Sequence, residues 1–529
     1  MKNIFESFLI IFLIDNIFSV CVNKFPWTLP SDASWPPSYK FLELRSNISG
    51  NVILKGDLNY NPHTWNRITN VPKPAAIIQP LNSDDILAAL KFAKAYNIRL
   101  SVQSTGHHQD HRNIYDNSIH IDMSTMDSKS IDLEKKTLTV GPGNTFREIQ
   151  TFVAIQTNKK LVALGGADPS VGIYGWTVGG GHGALTKMYG LGVDALLSVQ
   201  IITADLNVIT ASETENQDLF RSLRGSGGGA FGITTSLTVK LFPDPGTVSV
   251  FTGYFPLSAE TSSMFANFLI EAPNFVSGYF LMQNFGSFYN TYIQIQMLCF
   301  SNSTTCFNIL SSLQEFCIPL PGLDCTPALD AFPHYFDFII QAEMNTDGVT
   351  YLASTSLNSS NIVDGLSEIT NYIADNIYTG CVSSAVLGGV SATLDADRIQ
   401  TCVSPQMRNA LIAVTCYCLL IDSTSHDDRL YQISLMDTLS EKVYKKYNDW
   451  VYWNEPLHNF AQDDWKSRYW GGLDNYNKLL SVKNKYDPEN FFTCYHCIGY
   501  VKYNSEDPAV CPINNCTCSN TPYGVCNAY

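Results

Sequence analysis

A chain of 529 residues has room for two or more domains, each with its own core. Only 15% of its residues are charged, against roughly 25% in ordinary soluble proteins. The formal net charge is -15, and no cluster of Lys and Arg supplies the counterion release on which nucleic-acid or anionic-membrane binding rests. These features exclude nucleic acid and membrane as partners and point to a small molecule.

Residues 1–21 read as a secretory signal, with Lys2 near the start, an apolar stretch from Phe8 to Phe18, and Ser19-Val20-Cys21 as a small-residue cleavage site. Asp15 interrupts the apolar stretch, which falls short of the roughly 18 to 20 residues that a membrane span needs. A secreted protein is therefore expected. Four acceptor sequons agree with a glycosylating compartment: Asn47-Ile48-Ser49, Asn302-Ser303-Thr304, Asn358-Ser359-Ser360 and Asn515-Cys516-Thr517. Of the 15 cysteines, cleavage after Cys21 leaves an even number, and Cys511, Cys516, Cys518 and Cys526 crowd a tail at 501–529. Cys494-x-x-Cys497 fits a redox pair or half a zinc site, but no second pair follows at finger spacing, so structural disulfides and no metal are expected. Between Cys21 and Cys299 there is no cysteine, so cofactor chemistry in that half must use other side chains.

The first regular element is a helix capped by Ser83 and running to about Tyr96. Ile86, Leu90 and Ala93 share one face, and Asp84 and Asp85 sit in the first turn, where the dipole favours acid. A strand follows, with Ile98, Leu100 and Val102 alternating with Arg99, Ser101 and Gln103. It runs into Ser104-Thr105-Gly106, where short side chains let backbone N–H groups reach a phosphate oxygen. His107 comes next, and a neutral imidazole is a competent nucleophile toward an electrophilic carbon such as the flavin 8-methyl position. The same residues also fit a plain glycine turn followed by a surface pair of histidines.

Further on, Ile119, Ile121 and Met123 alternate, Leu138 and Val140 end at Gly141-Pro142-Gly143, and a helix is expected over Thr145–Gln156. A second glycine field spans Gly165-Gly166, Gly172, Gly175, Gly179-Gly180-Gly181-His182-Gly183 and Gly190-Leu191-Gly192-Val193-Asp194. Val199–Thr203 and Val208–Thr210 read as a hairpin around Asp205-Leu206-Asn207. A third field, Gly225 to Gly232, precedes an alternating strand ending at Phe242-Pro243. None has the spacing of a Rossmann fingerprint or a P-loop. Their joint occurrence favours several loops converging on one extended ligand. From about 245 to 445 the chain turns aromatic-rich and strand-like, as a separate substrate domain would, and Trp465–Phe492 resumes a helical pattern that stops at Asp487-Pro488. The fold class is α+β.

These fields, with Trp65-Asn66, Pro74, Arg224–Thr235, Tyr452-Trp453-Asn454-Glu455 and Tyr486-Asp487-Pro488-Glu489-Asn490-Phe491-Phe492, resemble the berberine bridge enzyme-like flavoproteins of the vanillyl-alcohol oxidase superfamily. The resemblance spans most of the mature chain. It implies a bipartite, PCMH-type FAD-binding domain of two α+β subdomains, from residues 28–245 completed by a C-terminal segment at 445–500. A substrate domain at 246–444, built on a large antiparallel sheet covered by helices, would sit between them. By resemblance His107 bonds covalently to the flavin 8α carbon, with His108 as the competing candidate, and Gln103, Ser104, Thr105 and Gly106 line the diphosphate. Val171, Gly172, Gly175, Gly181, His182, Gly232, Ile233 and Asn490 complete the expected FAD contacts.

The chain departs from the family at four places. Many members hold a second covalent link through a cysteine where this chain has Asp168, so FAD attached once, through His107, is expected. Trp176 stands where plant members place a histidine near the flavin, leaving His182 as the candidate to stabilise the reduced ring. His111 replaces a usual glycine. Glu455 occupies the slot of a common tyrosine. In the family a hydride passes to flavin N5 while a base takes a proton from a substrate alcohol. Glu455, its pKa raised by aromatic surroundings, is the expected base; a salt bridge from Glu455 to Arg408 is the structural alternative, and Tyr452 the second candidate base. Val171 occupies the family's oxygen gate, and valine there goes with oxygen access. With the secretory signal, the resemblance implies a secreted oxidase of a carbohydrate or small alcohol that uses O2 and releases hydrogen peroxide, and a monomer is expected. Dehydrogenase action on another acceptor, or flavin binding with little catalysis, are the alternatives.

Overall fold

The computed structural model describes residues 27–65, 71–110, 112–286, 291–319, 325–342, 350–394, 400–419, 426–447, 450–456, 464–501 and two short strands, Cys516–Cys518 and Cys526–Ala528. The expected signal segment, His111, Cys511 and the sequon asparagine Asn515 lie outside the described residues.

Three larger sheets organise the described residues, beside two two-stranded ones. The first has four strands in the order Asn51–Leu54, Ala76–Gln79, Ile119–Asp122, Leu100–Gln103. Its first pair is antiparallel and the others parallel. The helix Ser83–Ala95 covers one face, burying Ile86, Ala89, Leu90 and Ala93. Its cap is Asn82, one residue before the expected Ser83; the Asn82 side chain accepts from the Asp85 N–H. The strand anticipated over 98–103 forms at Leu100–Gln103 and delivers Ser104–His107 to its C-terminal edge.

The second sheet is antiparallel, in the order Lys129–Asp132, Thr137–Val140, Ile233–Lys240, Leu196–Ile202, Val208–Ser212. The expected hairpin around Asp205 is its outer pair. Thr145 starts the helix Phe146–Thr157 with a reciprocal capping box through Glu148. Gly232 opens the Ile233 strand at φ +153°, and a Cβ there would lie 2.3 Å from the Ile202 carbonyl oxygen, so only glycine fits.

The third sheet has seven antiparallel strands, ordered Ala328–Phe332, Val248–Phe255, Thr291–Cys299, Val276–Asn284, Thr379–Ala385, Ile412–Leu419, Thr350–Leu357. Period-2 alternation gives it two unlike faces. Phe280 and Met282 point toward the helices Ala259–Glu271 and Ile362–Asp375, where Phe265 stacks on Phe280 at 4.6 Å and Thr370 donates to the Met282 sulfur. The opposite face carries Tyr279, Val382, Ser384 and Thr415, and Ser277 at its margin donates to the Ala184 carbonyl of the second glycine field.

The C-terminal helix Leu473–Tyr486 returns to the first two sheets. Buried Lys483 donates to Asp487 at 2.5 Å and to the carbonyls of Ala230 and Phe492 at 2.6 Å, tying this helix to the third glycine field. Disulfides join Cys299–Cys306, Cys317–Cys325, Cys381–Cys416 and Cys494–Cys497, the last closing the C-x-x-C pair; Cys402 and Cys418 are buried thiols. Among the described residues no cluster of His, Cys, Asp and Glu suits a metal ion, and no helix is long and apolar enough to cross a membrane.

Candidate active site

A cavity of about 350 Å³ opens where the three sheets meet. It falls in the range of small-molecule and cofactor sites. One wall is the Ser104–His107 turn. Gly106 takes φ +82°, and its carbonyl accepts from the N–H groups of Trp65 and His108. Gln103 lies behind this wall rather than on it: buried, it accepts from Asn113 Nδ2 at 2.8 Å and meets His63 Nε2 at 3.1 Å, with its amide packed under Gly106.

The second glycine field makes the adjoining wall. A Cβ on Gly172 would stand 2.6 Å from Thr105 Oγ1 and 3.0 Å from Ser104 Oγ, so glycine here lets the two loops touch. Gly175 faces open space with no atom within 4 Å of where a Cβ would stand. Gly228, Gly229, Gly232 and Ile233 of the third field continue the lining, with Tyr174 and Cys494 beside them. Three glycine loops thus bring backbone against one cavity, an arrangement fitted to a diphosphate and a flat ring system. The residues fit FAD.

His107 lines this cavity, with its ring stacked on Trp65 at 5.1 Å and its Nε2 3.0 Å from Ser170 Oγ and 3.6 Å from Asp168 Oδ2. His108 also reaches the lining, but its Nδ1 is held 2.8 Å from Asp110 Oδ1. Asp110 in turn binds Arg112, whose guanidinium lies 4.0 Å over the Trp453 ring.

At the far end stand Tyr452, Trp453, Asn454 and Glu455, facing His182. Glu455 Oε1 lies 3.4 Å from His182 Nε2, Oε2 accepts from Thr415 Oγ1, and the Glu455 carbonyl accepts from Ser354 Oγ. Burial pushes the Glu455 pKa up, but the hydrogen bond and charge of His182 and the bond from Thr415 outweigh it, so the carboxyl sits below its ordinary value. The raised value expected from an aromatic setting is thereby corrected, because polar partners and not rings decide it. Arg408 is no partner of Glu455; it forms a two-pronged pair with buried Asp194 at 2.9 and 3.1 Å. Tyr452 Oη accepts from the Gly181 N–H at 3.1 Å and Asn454 Nδ2 at 2.8 Å, and burial foremost drives its pKa well above 10.

The remaining expected residues divide. Val171 and Gly172 line the cavity beside Trp176, whose indole N–H donates to the His182 carbonyl. Gly181 stands behind the lining as the donor to Tyr452, and Asn490 is remote from it, at φ +53° and bonded to the Gly499 carbonyl in the C-terminal turn. Sequence reasoning missed Tyr279, Val382, Ser384 and Thr415, which face the cavity from the large sheet or hold Glu455. Their alternation was legible, but not which loop the face would meet. It missed Ser170 as well, and read Asp168 only as an absent cysteine.

Comparison with known proteins agrees with this geometry. Residues 74–212 match the family described as FAD binding domain, and residues 451–499 the family described as berberine and berberine like. The chain thus carries an FAD binding domain and a berberine-like segment, and in both it is similar to the berberine bridge enzyme-like FAD-linked oxidoreductases. Among relatives of this oxidoreductase, the FAD-linked oxidoreductase apf9 of Gibberella fujikuroi is 26% identical over 477 residues, 80% of this chain and 78% of its own length. The VAO-type flavoprotein oxidase VAO615 of Thermothelomyces thermophilus is 26% identical over 453 residues, 79% of this chain and 75% of its own. Solved structures share the fold: the VAO-type flavoprotein MtVAO713 of Myceliophthora thermophila C1 superposes with a TM-score of 0.75 at 21% identity, covering 89% of this chain and 97% of that one. The xylooligosaccharide oxidase of the same organism, solved with xylobiose, gives 0.72 at 20% identity over 87% and 99%. This oxidoreductase therefore has the bipartite, PCMH-type α+β fold with a large antiparallel sheet.

Proposed function

We propose that this FAD-dependent oxidoreductase is a secreted oxidase of a carbohydrate or related polyol, with FAD tethered through His107 and dioxygen as the final acceptor. The observation that carries it is that the His107 imidazole and the Glu455 carboxylate share the lining of one cavity with Tyr279 and Ser384 of the large sheet. FAD would be held by the Ser104–Gly106 turn, Gly172, Gly175, Gly232 and Ile233, within an FAD-binding domain at 28–245 completed by 445–500. Bound there, it supplies a two-electron acceptor.

The protein's own part is proton handling and orientation. Glu455, charged at neutral pH, takes the proton of the substrate hydroxyl, a contribution worth about 10² to 10⁴ in rate. His182 and Thr415 hold that carboxylate in place and keep it ionised. Tyr452 is the weaker base because its phenol stays protonated. The sum is an alcohol and O2 converted to a carbonyl compound and hydrogen peroxide.

The sheet face supports the substrate class. Across it, in register, run Tyr254, Gln294, Leu281, Val382, Thr415 and Ser354. A neighbouring row pairs Gln296, Tyr279 and Ser384. Tyrosine rings offer stacking area with a polar tip, and amides and hydroxyls offer hydrogen bonds, which is what a polyhydroxylated ring requires. The solved chitooligosaccharide and xylooligosaccharide oxidases of the same fold are consistent with it. For secretion, the disulfides among the described residues and the exposed sequon residues Asn47 and Asn302 add support to the leader read at 1–21.

Two measurements test the reading. Acid precipitation of the purified protein is expected to leave the yellow chromophore in the pellet, and in the supernatant for His107→Ala; a yellow supernatant from the unaltered protein rejects the tether. Anaerobic mixing with a panel of oligosaccharides and simple alcohols is expected to bleach the flavin with the sugars, and peroxide should appear on admitting air. Bleaching without peroxide would instead indicate a dehydrogenase.

A further inference from the structure

The position that takes the place of the family's second cysteine is not idle. Asp168 stands over His107, and Ser170 stands between them. Ser170 Oγ lies 2.6 Å from Asp168 Oδ1 and 3.0 Å from His107 Nε2, while Asp168 Oδ2 lies 3.6 Å from the same nitrogen. A serine hydroxyl has one proton, and an ionised carboxylate can only accept. The Ser170 proton therefore goes to Asp168, and Ser170 Oγ must accept from His107 Nε2–H. That assignment puts the imidazole proton on Nε2 and the lone pair on Nδ1. The Trp65 indole, stacked on the imidazole at an interplanar angle of 23°, fixes the plane in which that lone pair points.

The Asp168 carboxylate is suited to the task. Its burial opposes ionisation, yet the nearby His107 ring and the hydrogen bonds from the Ser170 hydroxyl and N–H outweigh that and hold its pKa below the ordinary aspartate value. The Ser170 N–H bonds Asp168 Oδ1 at 2.8 Å, and the turn 168–171 is closed by the Val171 N–H on the Asp168 carbonyl, so the carboxylate is pinned independently of His107. Both side chains border the cavity or its wall, and Asp168 and His107 both line it.

We infer that Asp168 and Ser170 form a proton relay that fixes the His107 tautomer for self-catalysed attachment of FAD through Nδ1. This rests on the His107 tether proposed above. In the attachment a bond forms between Nδ1 and the flavin 8α carbon, and one C–H bond at that carbon breaks. The imidazole, made cationic by the new bond, passes its Nε2 proton through Ser170 Oγ to Asp168. Two electrons and the two released protons leave on dioxygen as hydrogen peroxide, so atoms and charge balance. Asp168 and Ser170 are positioning residues: they act on the imidazole and not on the substrate. A single carboxylate thus occupies the place of a second covalent link and serves the one that remains.

The test uses the full-length chain produced under flavin limitation and then given FAD in air. The acid-stable flavin fraction is followed over time, and non-covalent affinity is measured separately by quenching of FAD fluorescence. Asp168→Asn and Ser170→Ala are each expected to slow covalent incorporation by about 10²-fold, the lower end of the range for proton-transfer assistance. The double variant should be no slower than Asp168→Asn alone, since the two act as one unit. Affinity for FAD should change far less than the rate, which a general loosening of the site would not produce. Incorporation by Asp168→Asn at the unaltered rate overturns the relay, as does a loss of affinity in step with the rate. His107→Ala separates the two ideas: acid-stable flavin in that variant overturns the tether itself, whereas its absence there, with Asp168→Asn at full rate, overturns the relay alone.

Discussion

Glu455 Oε1 lies 3.4 Å from His182 Nε2, although one comes from the C-terminal segment and the other from the second glycine field. The pair closes one end of the cavity, and Thr415 on the large sheet completes the carboxylate's surroundings. Glu455→Gln keeps the shape and one of the two acceptor oxygens but cannot take a proton. It is expected to lower kcat by about 10² to 10⁴ with FAD still bound. Because the carboxyl titrates below 4.5, the charged form persists into mild acid, and kcat/KM should fall only as pH drops below that value. An acid limb centred above pH 5, or a Gln variant of full activity, would remove Glu455 from the base role.

Val171 lines the cavity beside Gly172. By the family resemblance a leucine there obstructs oxygen. Val171→Leu is expected to slow reoxidation of the reduced enzyme by air about tenfold, some 1.4 kcal/mol of barrier, while leaving anaerobic reduction by substrate unchanged. Stopped-flow measurement of the two half-reactions separates these effects. Equal reoxidation rates in both proteins would mean that oxygen enters elsewhere.

Arg408 and Asp194 form a buried ion pair with two hydrogen bonds, and Arg408 Nη2 also donates to Thr401 Oγ1 at 2.9 Å. The pair pins the turn Gly190–Asp194 of the second glycine field against the helix Pro405–Asn409. Arg408→Met leaves a buried carboxylate without its partner, which costs about 3 to 5 kcal/mol. Arg408→Lys keeps the charge but not the fork, so it should fall between the two. Guanidinium titration followed by tryptophan fluorescence reads the loss; a change under about 1 kcal/mol for the Met variant, the range of an exposed pair, would show the site to be solvated.

Local signals were the legible ones. The helix Phe146–Thr157, the hairpin around Asp205 and the strand leading to Ser104 each depend on neighbours in sequence, and their boundaries fell within a residue or a few of those expected. The glycine fields were legible as a group because close approach of backbone to backbone or ligand leaves no room for Cβ, as at Gly172 and Gly232. Pairings across the fold were not. Arg408 is nearer in sequence to the Tyr452–Glu455 motif than to Asp194, yet it reaches back to Asp194, and the aromatic neighbours of Glu455 concealed that Thr415 and His182 set its charge. Asp168 likewise carried no sign in its own neighbourhood that His107 would stand above it.

His120 gives the last prediction. It sits on the face of the first sheet turned away from the helix Ser83–Ala95, with Nδ1 2.9 Å from Ser101 Oγ, Asp122 two residues along the same strand and His63 across a polar cavity of about 240 Å³. Burial is the largest influence and lowers its pKa from 6.5 to about 4; Asp122 opposes this and His63 adds to it. The folded protein therefore keeps this imidazole neutral at a pH where the unfolded chain has protonated its own. Stability from the site is complete above pH 6.5 and is lost as pH falls toward 4, by up to about 3 kcal/mol at 1.36 kcal/mol per pKa unit. His120→Asn, which cannot titrate but can still bond Ser101, should be less stable at neutral pH yet lose less on acidification. Thermal melts of both proteins between pH 7 and 4 measure the difference in slope, and parallel slopes would show that acid sensitivity arises at other groups.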